Sequence, residues 1–325
     1  MRIVVVGCGS IGRRHLRNLK MLNAGELVGV DTDAERRELI SRELAIPLYD
    51  SLEKALQNGA DVVFVTVPTA LHVPIALEAA SADCHLFVEK PLSDRLENVD
   101  RLVEIVHERK LITLVGCNMR FHPAPIQIKE MIHNGVIGQV IAARLHTGSY
   151  LPDWRPHTDY RQSYSASPED GGGAILDCIH EIDLALWFFG AGKVVCAVTI
   201  PAYSLGLQVE GLAEILIQHQ RGVLSSVHLN FVQRDYRRGC QIIGTEGTLY
   251  WDFEEGRVRH YKASGEWEIL DQPVGWDVNQ MYLDELAYFF RCVKDQALTF
   301  NDVEQGVVAL RAALAAKKQA KHAVK

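Results

Sequence analysis

Lys90 stands in Glu89-Lys90-Pro91, directly after the apolar run His85-Leu86-Phe87-Val88. That run reads as a buried parallel strand, and open α/β sheets take their ligands in the crevice outside the carboxyl ends of the strands. A lysine there is held stiffly by the proline and points into the crevice. Taken alone, the tripeptide also suits a solvated lysine at a turn. A second cluster comes later. Asp177 and His180 lie three residues apart behind Gly171-Gly172-Gly173. On a helix that spacing puts both on one face, with Asp183 continuing the row. An imidazole oriented by a carboxylate can move protons near neutral pH. A helix end whose His180 and Asp183 satisfy buried polar groups fits the same residues equally well.

A nucleotide fingerprint precedes both clusters. The first strand runs into Gly7-Cys8-Gly9-Ser10-Ile11-Gly12. Gly7 permits the tight turn, Gly9 lets a pyrophosphate approach, and Gly12 lets helix and strand pack closely. The amides of the helix start, from Ser10 and Ile11 on, then bind the phosphates. Asp31 ends the next strand, 19 residues after Gly12, close to the expected ~20 for an acid that bonds the adenosine ribose. A carboxylate there favours NAD and repels the extra phosphate of NADP; Arg36 and Arg37 would soften that preference, but a solvated helix face is the favoured reading of both. NAD is the expected cofactor, with NADP possible. The other strand ends carry Thr66, Pro68 and, close behind, His72, then Glu89 and Lys90, then Asn118 and Arg120. All fall on one edge of the predicted sheet, which is read as the nicotinamide end of the crevice. His72 alone reads as a packed or capping histidine rather than a catalyst.

The stretch from Gly148 to Glu169 is long, polar and predicted irregular, which favours a functional loop. It holds Trp154, Arg155, His157, Tyr160, Arg161 and Tyr164. Arginines among aromatic hydroxyls suit a carboxylate, phosphate or sugar. An ordinary surface loop, its arginines paired with Asp153, Asp159 or Glu169, is the competing reading.

Short valine-, isoleucine- and leucine-rich runs position these residues. Strands are predicted at 3–6, 27–30, 46–49, 61–67, 85–88 and 111–115, with helices near 11–22, 34–44, 51–58, 73–81 and 93–109. Continuous apolar strands alternating with helices imply a parallel sheet covered on both faces. After about residue 139 the period changes to two, with strands at 139–149, 193–203, 208–218, 222–233, 237–244, 247–253, 257–262 and 266–270. Helices are predicted at 124–134, 174–189, 278–295 and from about 302. The fold class is an α/β domain with a parallel sheet over 1–120, then an α+β domain with an open, mostly antiparallel sheet over 121–325. The last helix is a candidate to pack back on the first domain.

Composition narrows the partners. A chain of 325 residues exceeds what one core usually supports. The net charge of −7, with no long basic run, argues against nucleic acid. No apolar stretch is long enough to cross a membrane. Seven scattered cysteines read as reduced thiols of a cytoplasmic protein, and no two sit at metal-ligand spacing.

Together these residues resemble the glucose–fructose oxidoreductase/inositol dehydrogenase (Gfo/Idh/MocA) family. The likeness rests on the glycine fingerprint, Glu89-Lys90-Pro91, Asn118-Met119-Arg120-Phe121, the Gly171-Gly172-Gly173 segment and the domain order. It implies a Rossmann domain, a bound nicotinamide cofactor, a sugar-like or cyclitol substrate and a homodimer or homotetramer. The family's catalytic lysine corresponds to Lys90, and its usual aspartate and histidine to Asp177 and His180. Members commonly space those two by four residues, where this chain has three.

The leading expectation is an NAD(P)-dependent oxidoreductase that interconverts a secondary alcohol and a ketone on a sugar, cyclitol or charged sugar derivative. Lys90 and His180 would act on the substrate oxygen, with Asp177 orienting one of them. Arg120, Trp154, Arg155, Tyr160, Arg161 and Tyr164 would contact substrate. A lyase, epimerase or glycosidase working through transient oxidation is the alternative, and a cofactor-sensing regulator the third.

Overall fold

The computed structural model describes residues 1–156 and 158–322. They form two compact units, Met1–Asn118 with Val278–Leu310, and Met119–Asp277 with Arg311 onward. The first unit holds β1 (Arg2–Val6), β2 (Glu26–Val30), β3 (Leu48–Tyr49), β4 (Val62–Val65), β5 (His85–Glu89) and β6 (Thr113–Gly116). These parallel strands lie in the order β3-β2-β1-β4-β5-β6. Helices α1 (Ser10–Met21), α2 (Ala34–Leu44), α3 (Leu52–Leu56), α4 (His72–Ser81) and α5 (Val99–Glu108) connect them. The sequence predicts the fifth helix from residue 93. It begins at Val99 because Asn98 takes φ 59°, the left-handed region that asparagine tolerates.

Strand register fixes the site edge. Val6 pairs with Val30 and Val65, Val65 with Val88, and Val88 with Val115. The next residues along that line are Gly7, Asp31, Thr66, Glu89 and Gly116. The carboxyl edge of the sheet is therefore one row of the residues that the motifs single out. Strand order reverses between β1 and β4, which makes that point of the edge the switch where such sheets bind ligands.

The second unit contains α6 (Pro123–His133), β7 (Val140–Gly148), α7 (Ala174–Asp177), α8 (His180–Phe189), β8 (Gly192–Pro201), β9 (Glu210–His219), β10 (Leu224–Asn230), β11 (Arg237–Gly244), β12 (Gly247–Asp252), β13 (Arg257–Lys262) and β14 (Trp267–Asp271). Its sheet runs β14-β13-β12-β11-β7-β10-β9-β8, extended at the β8 edge by the short β15 (Lys321–His322). Pairing is antiparallel except for β7 with β10 and β8 with β15. Alternation sorts the faces. Leu145, Ile215, Val227, Ile242 and Leu249 are buried on one, against which α8 lies. Tyr250, Arg259 and Ile269 belong to the open other face.

The sequence boundary at 120 places residues 121–325 in the second domain, with only the last helix a candidate to pack back on the first. The first unit also takes α9 (Val278–Asp295) and the opening turns of α10 (Val303–Gln319). The reason is apolar surface. Phe64 of β4 and Phe87 of β5 stack at 4.6 Å, and Phe289 meets both edge-on at 6.0 and 5.7 Å. Leu286, Cys292 and Val293 join the same core at helical spacing. Thr299 and Asn301 then hydrogen-bond the carbonyls of Thr113 and Val115 on β6.

Candidate active site

The glycine turn opens where a pyrophosphate would lie. A Cβ on Gly7, whose φ is +92°, would meet the end of β4 at Thr66 and Val67, and one on Gly12 would collide with the Gly7 carbonyl. Around Gly9 a Cβ would meet nothing within 4 Å. Gly9 is also the N-cap of α1, with no side chain capping the helix and no acid in its first turn. The amides beginning at exposed Ser10 and half-buried Ile11 thus present an uncompensated helix terminus. These residues fit a dinucleotide phosphate.

Asp31 is 5% exposed and already engaged. Its Oδ2 accepts the Cys8 amide at 2.8 Å and its Oδ1 the Asp33 amide at 2.9 Å. Arg36 Nη1 lies 3.1 Å from Oδ2, and Arg37 donates to the Asp31 carbonyl. Arg36 is thus at the carboxylate rather than on a solvated helix face. The neighbouring Cys8 thiol is pushed up to about 12, chiefly by burial and then by Asp31. Thr66 is turned inward, its hydroxyl 2.8 and 2.7 Å from the carbonyls of Val6 and Gly7. It closes the turn, so its side chain is not offered to a cofactor. Pro68 lies exposed in the loop after β4. Asn118 is buried beyond β6, and its Oδ1 has no hydrogen-bond partner among the described residues.

Glu89 and His72 differ from expectation. Glu89 Oε1 is 2.7 Å from His15 Nε2, and its Oε2 accepts the Lys90 backbone amide at 3.2 Å. Burial pushes the Glu89 carboxyl up, but the His15 hydrogen bond and the charges of His15, Lys90 and His72 outweigh it, so the net shift is downward. His72, expected at the cofactor, has Nδ1 2.7 Å from the Pro91 carbonyl and Nε2 2.9 Å from that of Val67. Both ring nitrogens face backbone carbonyls, and a neutral imidazole donates to one of them. Burial lowers its pKa, against the pull of the two carbonyls. Lys90 itself is half-buried directly past the end of β5.

In the second unit the expected single helix over 174–189 breaks at Cys178 and Ile179. Asp177 ends α7 and His180 begins α8, both buried. Asp177 accepts the hydroxyls of Tyr164 at 2.9 Å and Ser165 at 2.6 Å. The Arg155 guanidinium lies 5.5 Å from the Tyr164 ring centre. The structure thus brings Arg155, Tyr164 and Asp177 together. The glycine triplet serves that packing. A Cβ on Gly172 would strike the carbonyls of Ser165 and Ser167, and one on Gly173 the carboxyl of Glu210.

Other residues expected at the substrate are otherwise engaged. Arg120 makes a bidentate pair with Asp183, Nε to Oδ2 at 2.8 Å and Nη2 to Oδ1 at 2.6 Å, both side chains almost fully buried. It is a core clamp, not an available cation. Exposed Arg161 pairs with Asp159 at 2.9 Å. Tyr160 donates to the Leu205 carbonyl and Trp154 to Ser149. His157 lies outside the described residues. Sequence reasoning passed over His15, although Gly12, His15, Leu16 and Leu19 form one buried stripe of α1, where a titratable side chain stands out. It also passed over Ser165.

Residues 1–117 match the oxidoreductase family with an NAD-binding Rossmann fold, and residues 126–250 match the GFO/IDH/MocA C-terminal domain. This chain belongs to the Gfo/Idh/MocA oxidoreductase family. Its members include myo-inositol 2-dehydrogenase of Thermotoga maritima, 27% identical over 98% of this chain and 96% of that protein. The 1,5-anhydro-D-fructose reductase of Ensifer adhaerens is 29% identical over 97% and 95%. A levoglucosan dehydrogenase solved with NADH and levoglucosan shares the fold, with a TM-score of 0.87 at 21% identity over 98% of each chain. The protein is an NAD(P)-dependent oxidoreductase, and its first unit is an NAD-binding Rossmann domain. No described helix is long and apolar enough to cross a membrane.

Proposed function

We propose that this oxidoreductase interconverts a secondary alcohol and a ketone on a sugar or cyclitol derivative. The observation that carries the reading is the carboxyl-edge row, which sets Lys90 on the same sheet edge as open Gly9 and the uncapped start of α1. The named activities of the inositol dehydrogenase and anhydrofructose reductase relatives support the alcohol–ketone chemistry.

NAD, when bound, exchanges a hydride with the carbinol carbon. The Gly9 turn and the α1 amides would hold its phosphates and Asp31 its adenosine ribose, and the buried Asn118 Oδ1 would be an acceptor for it. Lys90 donates to the substrate oxygen and stabilises charge there. His180 takes the hydroxyl proton in the oxidative direction and returns it in the reductive one. Asp177, its carboxyl held by the Tyr164 and Ser165 hydroxyls, orients Lys90 or His180. Arg155 on Tyr164 is the cation of the loop placed for a charged substrate, since no carboxylate pairs with it among the described residues. The open sheet face, with exposed Tyr261, Trp267 and Ile269, is the surface for a homodimer or homotetramer.

A panel of sugars, cyclitols and nucleotide sugars, followed by reduced-nicotinamide absorbance, tests the reading. Lys90→Ala and His180→Ala retain NADH binding and lose most turnover on the best substrate. Wild-type turnover in either variant removes that residue from the mechanism. Product formed without matching NADH would replace net oxidation by a transient one.

A further inference from the structure

We propose that His72 and the His15–Glu89 pair are positioning residues that hold Lys90 by the backbone on either side of it. The inference rests on the role given to Lys90 above. Glu89 is the last residue of β5, paired with Gly116 at the end of β6. The ladder stops there, so the peptide groups around Lys90 must be held by other means. Two side chains do this. The Glu89 carboxylate accepts the Lys90 amide at 3.2 Å, and the His72 ring lies 2.7 Å from the Pro91 carbonyl. The peptide unit before Lys90 and the one after Pro91 are thereby tied.

Each tie is itself anchored. His15 is wholly buried, with Nε2 on Glu89 at 2.7 Å. A carboxylate only accepts, so Nε2 carries the proton. The His15 ring is seated against Phe87 at 5.0 Å and Phe64 at 5.6 Å, on the core of the sheet. The second His72 nitrogen lies 2.9 Å from the Val67 carbonyl, so the ring sits between the loops after β4 and β5; neutral it donates to one of the two carbonyls, protonated to both. Helix α1 thus presents the phosphate-binding terminus at one end and, through His15, sets Glu89 from its second turn. Cofactor seat and lysine seat lie in one compact unit. Misplacing a catalytic group by about 1 Å costs on the order of a hundredfold in rate. His15 and His72 can therefore govern turnover without touching the reacting atoms.

The test uses His15→Phe and His72→Phe, with isosteric Glu89→Gln and the donor-keeping His15→Gln as milder partners should a phenylalanine variant fail to fold. Turnover in the disruptive variants falls about ten- to a hundredfold with NADH affinity within about twofold, and His15→Gln recovers much of the loss. In a Lys90→Ala background the same changes have no further effect, because their influence passes through the lysine. Additive losses there overturn the inference. The rate at which an amine-selective acylating reagent modifies Lys90, read by peptide mass spectrometry, tests positioning apart from the reaction. It shifts several-fold in His15→Phe and Glu89→Gln, and wild-type rates in both overturn the inference whatever turnover does. Wild-type turnover in Lys90→Ala alone would sink the proposed function instead, leaving the acylation result to decide the clamp.

Discussion

Asp31→Ser is expected to reverse the discrimination between NADH and NADPH. The carboxylate follows β2 directly and meets Arg36 Nη1 at 3.1 Å, while Asp33, two residues on, meets Arg36 Nη2 at 3.5 Å. When the ribose hydroxyls bond Asp31, Arg36 must yield. A hydrogen bond to a charged group is worth about 1.5–3 kcal/mol, so its loss weakens NADH about ten- to a hundredfold. The same change removes a charge that repels a 2′-phosphate and leaves Arg36, held then by Asp33 alone, to pair with it, a second contact of about 1.5–3 kcal/mol. The affinity ratio should move about 10²- to 10⁴-fold toward NADPH. Arg36 is 44% exposed, so solvent screening favours the lower end. Asp31 also accepts the Cys8 amide, and losing that brace loosens the glycine turn for both cofactors alike. The ratio, not either affinity, is therefore the quantity to read. Fluorescence titration with each reduced cofactor gives it, with Asp31→Ser/Arg36→Ala as the control that loses the NADPH gain. A ratio within about twofold of wild type in Asp31→Ser would refute the placement of the adenosine ribose.

Three further outcomes follow from geometry. Gly9→Ala has room for its methyl and an ordinary φ of −66°, so it keeps the wild-type Tm but loses NADH affinity more than tenfold in titration, whereas Gly12→Ala is destabilised. Asp183→Ala strands the buried Arg120 guanidinium and costs about 3–5 kcal/mol by denaturant unfolding, while replacing both partners by apolar residues of similar volume recovers most of it. His122 is pushed down to about 4 by burial and by Arg238. Its neutral form is thus favoured in the folded state, and its contribution, complete above pH about 6.5, is lost as pH falls toward about 4. That loss is on the order of 3 kcal/mol, and His122→Phe should flatten the unfolding free energy over that window.

The cofactor edge was legible because both of its determinants are local. Apolar runs such as Val62–Val65 mark buried strands, and the residue after each run must lie on the carboxyl edge. The glycine spacing in Gly7–Gly12 needs no distant partner to be read. What escaped depends on long-range pairing. Arg120 looked available because nothing near it in sequence marks Asp183 as its partner. His72 looked like a ligand because the Pro91 carbonyl that claims it follows another strand. The Gly171–Gly173 run signalled close approach correctly but not of what, and the answer is the carbonyls of the 164–167 loop and Glu210. The pattern of α9 announces that it must cover apolar surface, and only the structure shows that surface to be Phe64 and Phe87.

That last feature has a bearing on synthesis. Residues 1–118 carry all six strands of the NAD-binding sheet, yet the helix that covers Phe64 and Phe87 begins at Val278. Translation at about 5–20 residues per second delivers that cover roughly 8–30 s later. Throughout that interval the nascent sheet presents an uncovered aromatic surface, the kind of exposure that recruits chaperones. The NAD-binding sheet of this enzyme is encoded well before the helix that covers its aromatic core.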